Sequence, residues 1–181
     1  MTNKALFLDR DGVINKEKNY LYKIEDIDFI DGIFDLCFSA TQLGYKIIII
    51  TNQAGIARGY YSEQDFKIVS EWVENQFMIR KIKIAGTFFC PHHPKYGNSL
   101  YKIDCDCRKP RGGMIREAAI KHGINLSNSI FVGDKKSDML AAKATHIGTK
   151  ILVRTGHPIT ANDEQYADYI LNSPADITAL L

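Results

Sequence analysis

Short, wholly apolar runs alternate along this chain with stretches in which apolar residues recur every three or four positions. Ala5-Leu6-Phe7-Leu8 is the first run; it ends at Asp9 and reads as a central strand. Ile47-Ile48-Ile49-Ile50 lies between Gly44 and polar Asn52 and predicts a strand over 46–51 buried on both faces. Further strands are predicted over 85–90, 129–132 and 149–153. Helical patterns separate them. One runs over 31–43, with Asp31 placed to cap it and Gly44 to stop it. Another opens on Ser62 and Asp65, spaced as a capping box, and continues through Phe66, Val69, Val73 and Phe77. A third, over 113–122, is closed by Gly123. Shorter helices are predicted over 137–144 and 174–181. Strands alternating with helices imply right-handed crossovers, hence an α/β fold with a mainly parallel central sheet between two helical layers.

Composition narrows the picture. With 181 residues the chain suits a single domain over 1–181, and 45% hydrophobic residues are enough for a core. A formal charge of +2 gives no whole-chain signal for nucleic acid or membrane. No apolar stretch approaches the roughly 20 residues of a membrane-spanning helix. The first residues carry neither a signal nor a transit pattern. The expected protein is a cytoplasmic monomer acting on a small molecule, with no nucleic-acid or membrane partner.

Polar residues gathered at strand ends supply the chemistry. They are Asp9-Arg10-Asp11-Gly12, Thr51-Asn52-Gln53, Arg108-Lys109-Pro110 and Gly133-Asp134-Lys135-Lys136-Ser137-Asp138. Three of the four directly follow an apolar run, and ligands of open α/β sheets bind at that edge. Asp9 and Asp11, two apart, share a face if strand geometry runs on. Carboxylates that close repel unless a cation sits between them. Mg²⁺ favours such carboxylates together with phosphate oxygens and water, and Asp134 can supply a further one. Asp9 can then attack phosphorus. Asp11 can protonate the leaving oxygen and later take a proton from water. Thr51 can hydrogen-bond a phosphoryl oxygen, and Lys109 can offset the developing charge. Taken singly, these are a turn, a helix cap, a strand end and a solvated charge. Taken together, they predict Mg²⁺-dependent phosphoryl transfer through an aspartyl-phosphate.

Of the four cysteines, Cys37 falls at helical spacing among Ile33, Phe34, Leu36 and Ala40 and reads as a packed thiol. Cys90, Cys105 and Cys107 lie with His92 and His93 in or beside a long aperiodic loop over 91–110. Three thiolates and one imidazole complete a tetrahedral zinc set with no open position, which favours a structural role. Either histidine can be the fourth ligand on spacing alone. Because Arg108 and Lys109 directly follow Cys107, such a metal would also fix where those cations point. Tyr60 and Tyr61 fit turn packing or the pocket edge equally well. His146 and His157 have no visible partner.

Leu6-Phe7-Leu8-Asp9-Arg10-Asp11-Gly12-Val13-Ile14-Asn15 resembles the first motif of the haloacid dehalogenase superfamily, and Thr51, Lys109 and Asp134 match its second, third and fourth. Other segments resemble the histidinol-phosphatase-like branch, and within it the heptose bisphosphate phosphatases. They are Thr51-Asn52-Gln53-Ala54-Gly55-Ile56-Ala57-Arg58-Gly59, Cys90-Pro91-His92-His93-Pro94, Cys105-Asp106-Cys107-Arg108-Lys109-Pro110 and Leu152-Val153-Arg154-Thr155-Gly156. The resemblance runs from about Ala5 to the end of the chain. It implies a Rossmann-like sheet without a large cap domain, Mg²⁺ at Asp9, Asp11 and Asp134, and structural Zn²⁺ at Cys90, His92, Cys105 and Cys107. It also implies removal of the phosphate at position 7 of a heptose bisphosphate, on the route to ADP-heptose of the lipopolysaccharide core. Arg108 and Lys135 then contact substrate, as do Asn52, Gln53 and Ala54 and a loop of Glu17, Lys18, Asn19 and Tyr20. The residues of that loop depart from those the family leads one to expect.

Two other readings stand beside this one. A histidinol-phosphate phosphatase shares the loop pattern. A non-catalytic phospho-accepting or zinc-loop interaction module shares the acidic strand ends, but has no need of Asp11 as an acid and base.

Overall fold

A computed structural model of the chain describes residues 3–98 and 100–181. Its core is a six-stranded sheet of β1 (Lys4–Leu8), β2 (Tyr45–Asn52), β3 (Ile84–Cys90), β4 (Ile130–Gly133), β5 (Thr149–Val153) and β6 (Tyr169–Leu171). Every pairing is parallel, and the order across the sheet is β3-β2-β1-β4-β5-β6. Chain direction across the sheet reverses between β1 and β4, which makes their carboxyl ends the place where a crevice opens.

Side chains that alternate along each strand separate into two cores. Leu6, Leu8, Ile47, Ile49, Val132 and Ile151 face one helical layer, α1 (Ile33–Gln42) and α3 (Glu63–Ile79). Ala5, Phe7, Ile48, Ile50, Phe131 and Leu152 face the other, α4 (Gly113–His122) and α5 (Lys136–Ala144). The expected three-layer α/β architecture is therefore present. Among the described residues no further domain is inserted between these elements, and no helix is long and apolar enough to cross a membrane.

Local expectations fare differently. The capping box of Ser62 and Asp65 is formed, and Phe66, Val69, Val73 and Phe77 are the buried residues of α3. Helix α1 begins later than expected: Gly32, at φ +82°, precedes it, and Asp31 makes no cap. The C-terminal segment is a 3-10 helix, Pro174–Leu180, with Ser173 and Asp176 as its capping box. Two four-residue helices, α2 (Ala54–Ala57) and α6 (Ala161–Glu164), and the edge strand β6 were not expected. Each is too short to leave a period in the sequence.

Candidate active site and metal centre

β1 and β4 end side by side, and the next residue of each is a buried aspartate. The Asp9 N–H still donates to Val132 O (3.0 Å), so its side chain leaves from the sheet edge. Lys109 reaches this point from the loop before α4. Its Nζ lies 2.9 Å from Asp9 Oδ1 and 2.7 Å from Asp138 Oδ1, and it donates to Ile50 O at 3.0 Å. Asp138 Oδ2 also accepts from the N–H groups of Asp134 and Lys135, both at 3.2 Å. Burial pushes the Asp9 carboxyl up, against the pull of Lys109. Burial works against the charge of Lys109 as well, but Asp138 and Asp9 outweigh it and hold the ammonium above its ordinary value.

Carboxylate oxygens of Asp9, Asp134 and Asp138 lie within 4.8 Å of one another. Asp134 Oδ2 accepts the His157 N–H (2.9 Å) and contacts the His157 ring Nδ1 (2.6 Å). Its Oδ1 is buried and has no hydrogen-bond partner; Lys135 Nζ stands 3.8 Å away. An orphaned carboxylate oxygen facing a second carboxylate suits a hard divalent cation. Asp138 is already engaged by Lys109 and two backbone donors, which leaves Asp9 and Asp134 to hold it. The backbone makes room for this cluster at Gly12, whose φ is +89° and whose absent Cβ would fall on the Asp134 carboxylate.

Asp11 lines the same cleft as Asp9, but its carboxylate is not part of the cluster that Asp9 forms with Asp134 and Asp138. The fork of Arg10, at 2.9–3.2 Å, takes both its oxygens, while Asn15 Nδ2 (3.0 Å) and Gln53 Nε2 (3.2 Å) donate to it from other sides. Burial raises the Asp11 carboxyl, but the Arg10 guanidinium and these hydrogen bonds together hold it below the ordinary carboxylate value. Gln53 Nε2 also donates to Thr51 Oγ1 (2.9 Å), and Tyr61 OH donates to Gln53 Oε1 (2.6 Å). Asn52 clamps the main chain of Lys109, donating to its carbonyl (3.1 Å) and accepting its N–H (3.0 Å).

These groups open on a cleft of about 340 Å³. Of the expected substrate residues, Glu17, Asn19, Tyr20, Asn52, Gln53, Ala54, Arg108 and Lys135 line it. Lys18 does not; its ammonium donates to Asp26 O at 2.8 Å, away from the cleft.

Four donors converge beside the end of β3. Cys107 Sγ lies 3.0 Å from Cys90 Sγ and 3.1 Å from Cys105 Sγ, and 3.4 Å from His92 Nδ1. All three cysteines are free thiols. Zinc–sulfur bonds of about 2.3 Å would place tetrahedral edges at about 3.8 Å, so a small outward relaxation seats the ion. His93 stays outside: its Nδ1 accepts the N–H groups of Lys95 and Tyr96. Arg108 Nη1 donates to His92 O at 3.2 Å, joining this cluster to the cleft.

The sequence reading missed three contributors. Asp138 was visible only as a helix-start residue. Arg10 lies between the two aspartates, where a surface charge is the ordinary expectation, yet it is buried. His157 follows β5, and its position just beyond a strand end was the one available signal.

Comparison with known proteins agrees with this geometry. Residues 106–177 match the HAD-hydrolase-like family. The D-glycero-beta-D-manno-heptose-1,7-bisphosphate 7-phosphatase of Vibrio cholerae is 44% identical over 177 residues, covering 98% of this chain and 95% of that protein. Its namesake from Escherichia coli K12 is 43% identical, covering 96% of this chain and 91% of its own. Among solved structures, the D,D-heptose 1,7-bisphosphate phosphatase of B. bronchiseptica, complexed with magnesium and phosphate, superposes with a TM-score of 0.81 at 25% identity. The match covers 98% of this chain and 97% of that one.

Proposed function

This chain belongs to the D-glycero-beta-D-manno-heptose-1,7-bisphosphate 7-phosphatase family of HAD-like hydrolases, and on that premise we propose that it removes the phosphate at position 7 of D-glycero-D-manno-heptose 1,7-bisphosphate. The observation that carries the chemistry is buried Asp9 held by Lys109 beside the unpartnered Asp134 oxygen.

Asp9 is the nucleophile. Its carboxylate oxygen forms a bond to phosphorus as the bond from phosphorus to the sugar oxygen breaks. Asp11 delivers a proton to that leaving oxygen. In the resting structure Arg10 favours ionised Asp11, and the negative charge of an incoming phosphate favours its protonation. Water then attacks the aspartyl-phosphate, Asp11 takes its proton, and phosphate leaves. Thr51 hydrogen-bonds the phosphoryl group, and Lys109 stabilises the charge on its oxygens. Asp9 and Asp134 would hold Mg²⁺, which when bound neutralises and orients the phosphoryl group. Cys90, His92, Cys105 and Cys107 would hold structural Zn²⁺. The remaining cleft residues, Arg108, Lys135, Asn19 and Tyr20 among them, receive the sugar and its second phosphate, where an arginine fork suits a phosphate at fixed distance.

The product feeds ADP-heptose synthesis for the lipopolysaccharide core, in the cytoplasm, and the chain acts as a one-domain monomer. The relatives are named for the beta anomer, and the same preference is assigned here. Histidinol phosphate is not favoured as substrate. Phosphate release with Mg²⁺, measured side by side on heptose 1,7-bisphosphate and histidinol phosphate, tests this. Strong preference for the bisphosphate is the expected result; preference for histidinol phosphate would overturn the substrate and the reading of Arg108.

A further inference from the structure

Beside the catalytic cleft stands a cation that no step of the reaction uses. Arg58 follows α2, and its Nε is buried without a hydrogen-bond partner. Aromatic rings face its guanidinium instead. The Tyr96 centroid lies 3.9 Å from Cζ and the Tyr20 centroid 5.7 Å. Tyr60 in turn packs edge-on against Tyr20, ring centroids 4.9 Å apart. Each tyrosine is individually exposed, so burial of its own surface does not account for where its ring sits.

The two nearer rings come from two different loops. Tyr20 belongs to the loop expected to touch substrate, where Asn19 and Tyr20 have φ of +48° and +63°. Consecutive left-handed residues other than glycine persist only where their surroundings hold them. Tyr96 belongs to the loop of the Cys/His cluster. His93 fixes it there through the N–H groups of Lys95 and Tyr96, with the His93 and Tyr96 rings 4.7 Å apart. The next residue, Gly97, has φ +110°, and a Cβ on it would stand 2.6 Å from the Ala57 carbonyl. The tip of this loop therefore rests directly on α2, at the base of Arg58.

We infer that Arg58 is a positioning residue: clasped between the Tyr20 and Tyr96 rings, it ties the substrate loop to the Cys/His loop and so shapes the part of the cleft distant from Asp9. The inference rests on the sugar bisphosphatase reading, in which that part of the cleft receives the second phosphate. A guanidinium stacked on aromatic rings suits the task, because it restrains both loops without closing the pocket with a salt bridge.

Arg58→Met and Arg58→Lys test it, on heptose 1,7-bisphosphate and on para-nitrophenyl phosphate, which is too small to reach both loops. Arg58→Met is expected to raise KM for the bisphosphate about tenfold, with kcat and the para-nitrophenyl phosphate rate within about twofold. Arg58→Lys, with the charge but not the plane, should fall between. Adding Tyr96→Ala to Arg58→Met should change little further, as expected for two halves of one contact, whereas Tyr96→Phe should behave as wild type. An unchanged KM, or a parallel loss on both substrates, would overturn the inference. Amide hydrogen exchange gives a readout independent of substrate. Residues 17–20 and 93–98 should exchange faster together in Arg58→Met, with β1 and zinc content unchanged. Unaltered exchange in either loop also overturns the clasp. A wild-type protein inactive on the bisphosphate would refute the functional reading and leave the exchange experiment to decide the clasp.

Discussion

Lys109 shows how much of this site depends on single buried charges. Its side chain is 1% exposed, between carboxylates that are 3% and 0% exposed. Removing one member of such a group strands the others without a counter-charge, at a cost of about 3–5 kcal/mol. Lys109→Met should therefore lower unfolding free energy by about that amount as well as stop turnover, which urea denaturation can measure. A loss below about 1 kcal/mol would show that water or a bound cation reaches the pair. Asp9→Asn is a different case, because Lys109 keeps Asp138 and Ile50 O as partners. The fold should hold while phosphate release falls on the order of 10³-fold or more. Retained turnover would remove Asp9 as the nucleophile. The placement of Asp9, Thr51 and Asp134 together was legible in the sequence because each lies at or just past the end of an apolar strand, whereas Lys109 arrives from the loop before α4. The partners of Asp11, which are Arg10, Asn15 and Gln53, were not legible, because no periodicity encodes which side chains will hydrogen-bond.

At the scale of elements, the loop after β3 has the least regular structure and the densest chemistry. It starts from Cys90, whose carbonyl accepts the Gln53 N–H at 2.8 Å, and returns at Lys109, clamped by Asn52. Between these anchors it carries the four Cys/His donors, the Arg108 bond to His92 O and the His93 bonds to the Lys95 and Tyr96 N–H groups. Treating the protein with a chelator, then restoring Mg²⁺ alone, should raise KM for the bisphosphate at least severalfold through loss of Arg108 placement. Zinc analysis alongside steady-state kinetics checks this. Chelated protein with full activity and unchanged KM would show that the loop holds its shape without metal. The long elements of the fold were readable for the opposite reason. Ile47-Ile48-Ile49-Ile50 and the stripe Phe66, Val69, Val73 and Phe77 repeat their signal over many residues. β6, with Tyr169 exposed and Ile170 and Leu171 half-buried, is made by pairing with β5 and carries no such signal. The start of α1 was misplaced because a left-handed Gly32 sets its entry, where a side-chain cap on Asp31 was expected.

For the whole molecule, the consequence is that the site and the sheet share one framework. Asp9 extends β1, Thr51 lies in β2, Asp134 follows β4 and His157 follows β5, while Thr155 Oγ1 reaches across to Gly12 O at 2.6 Å. A ligand that engages these groups touches the ends of four strands that could not separate without unfolding the core on both faces. Mg²⁺ with inorganic phosphate should therefore stabilise the entire fold, not one loop. At ligand concentrations 100 times the dissociation constant the gain is about 2.7 kcal/mol. Calorimetry should show one transition moved upward in temperature, still a single peak. Asp134→Asn should lose most of that shift, because the oxygen left free for a cation is on that carboxylate. A second peak appearing on addition of Mg²⁺ and phosphate would mean that the site melts apart from the sheet. The four strand ends would then not act as one binding edge.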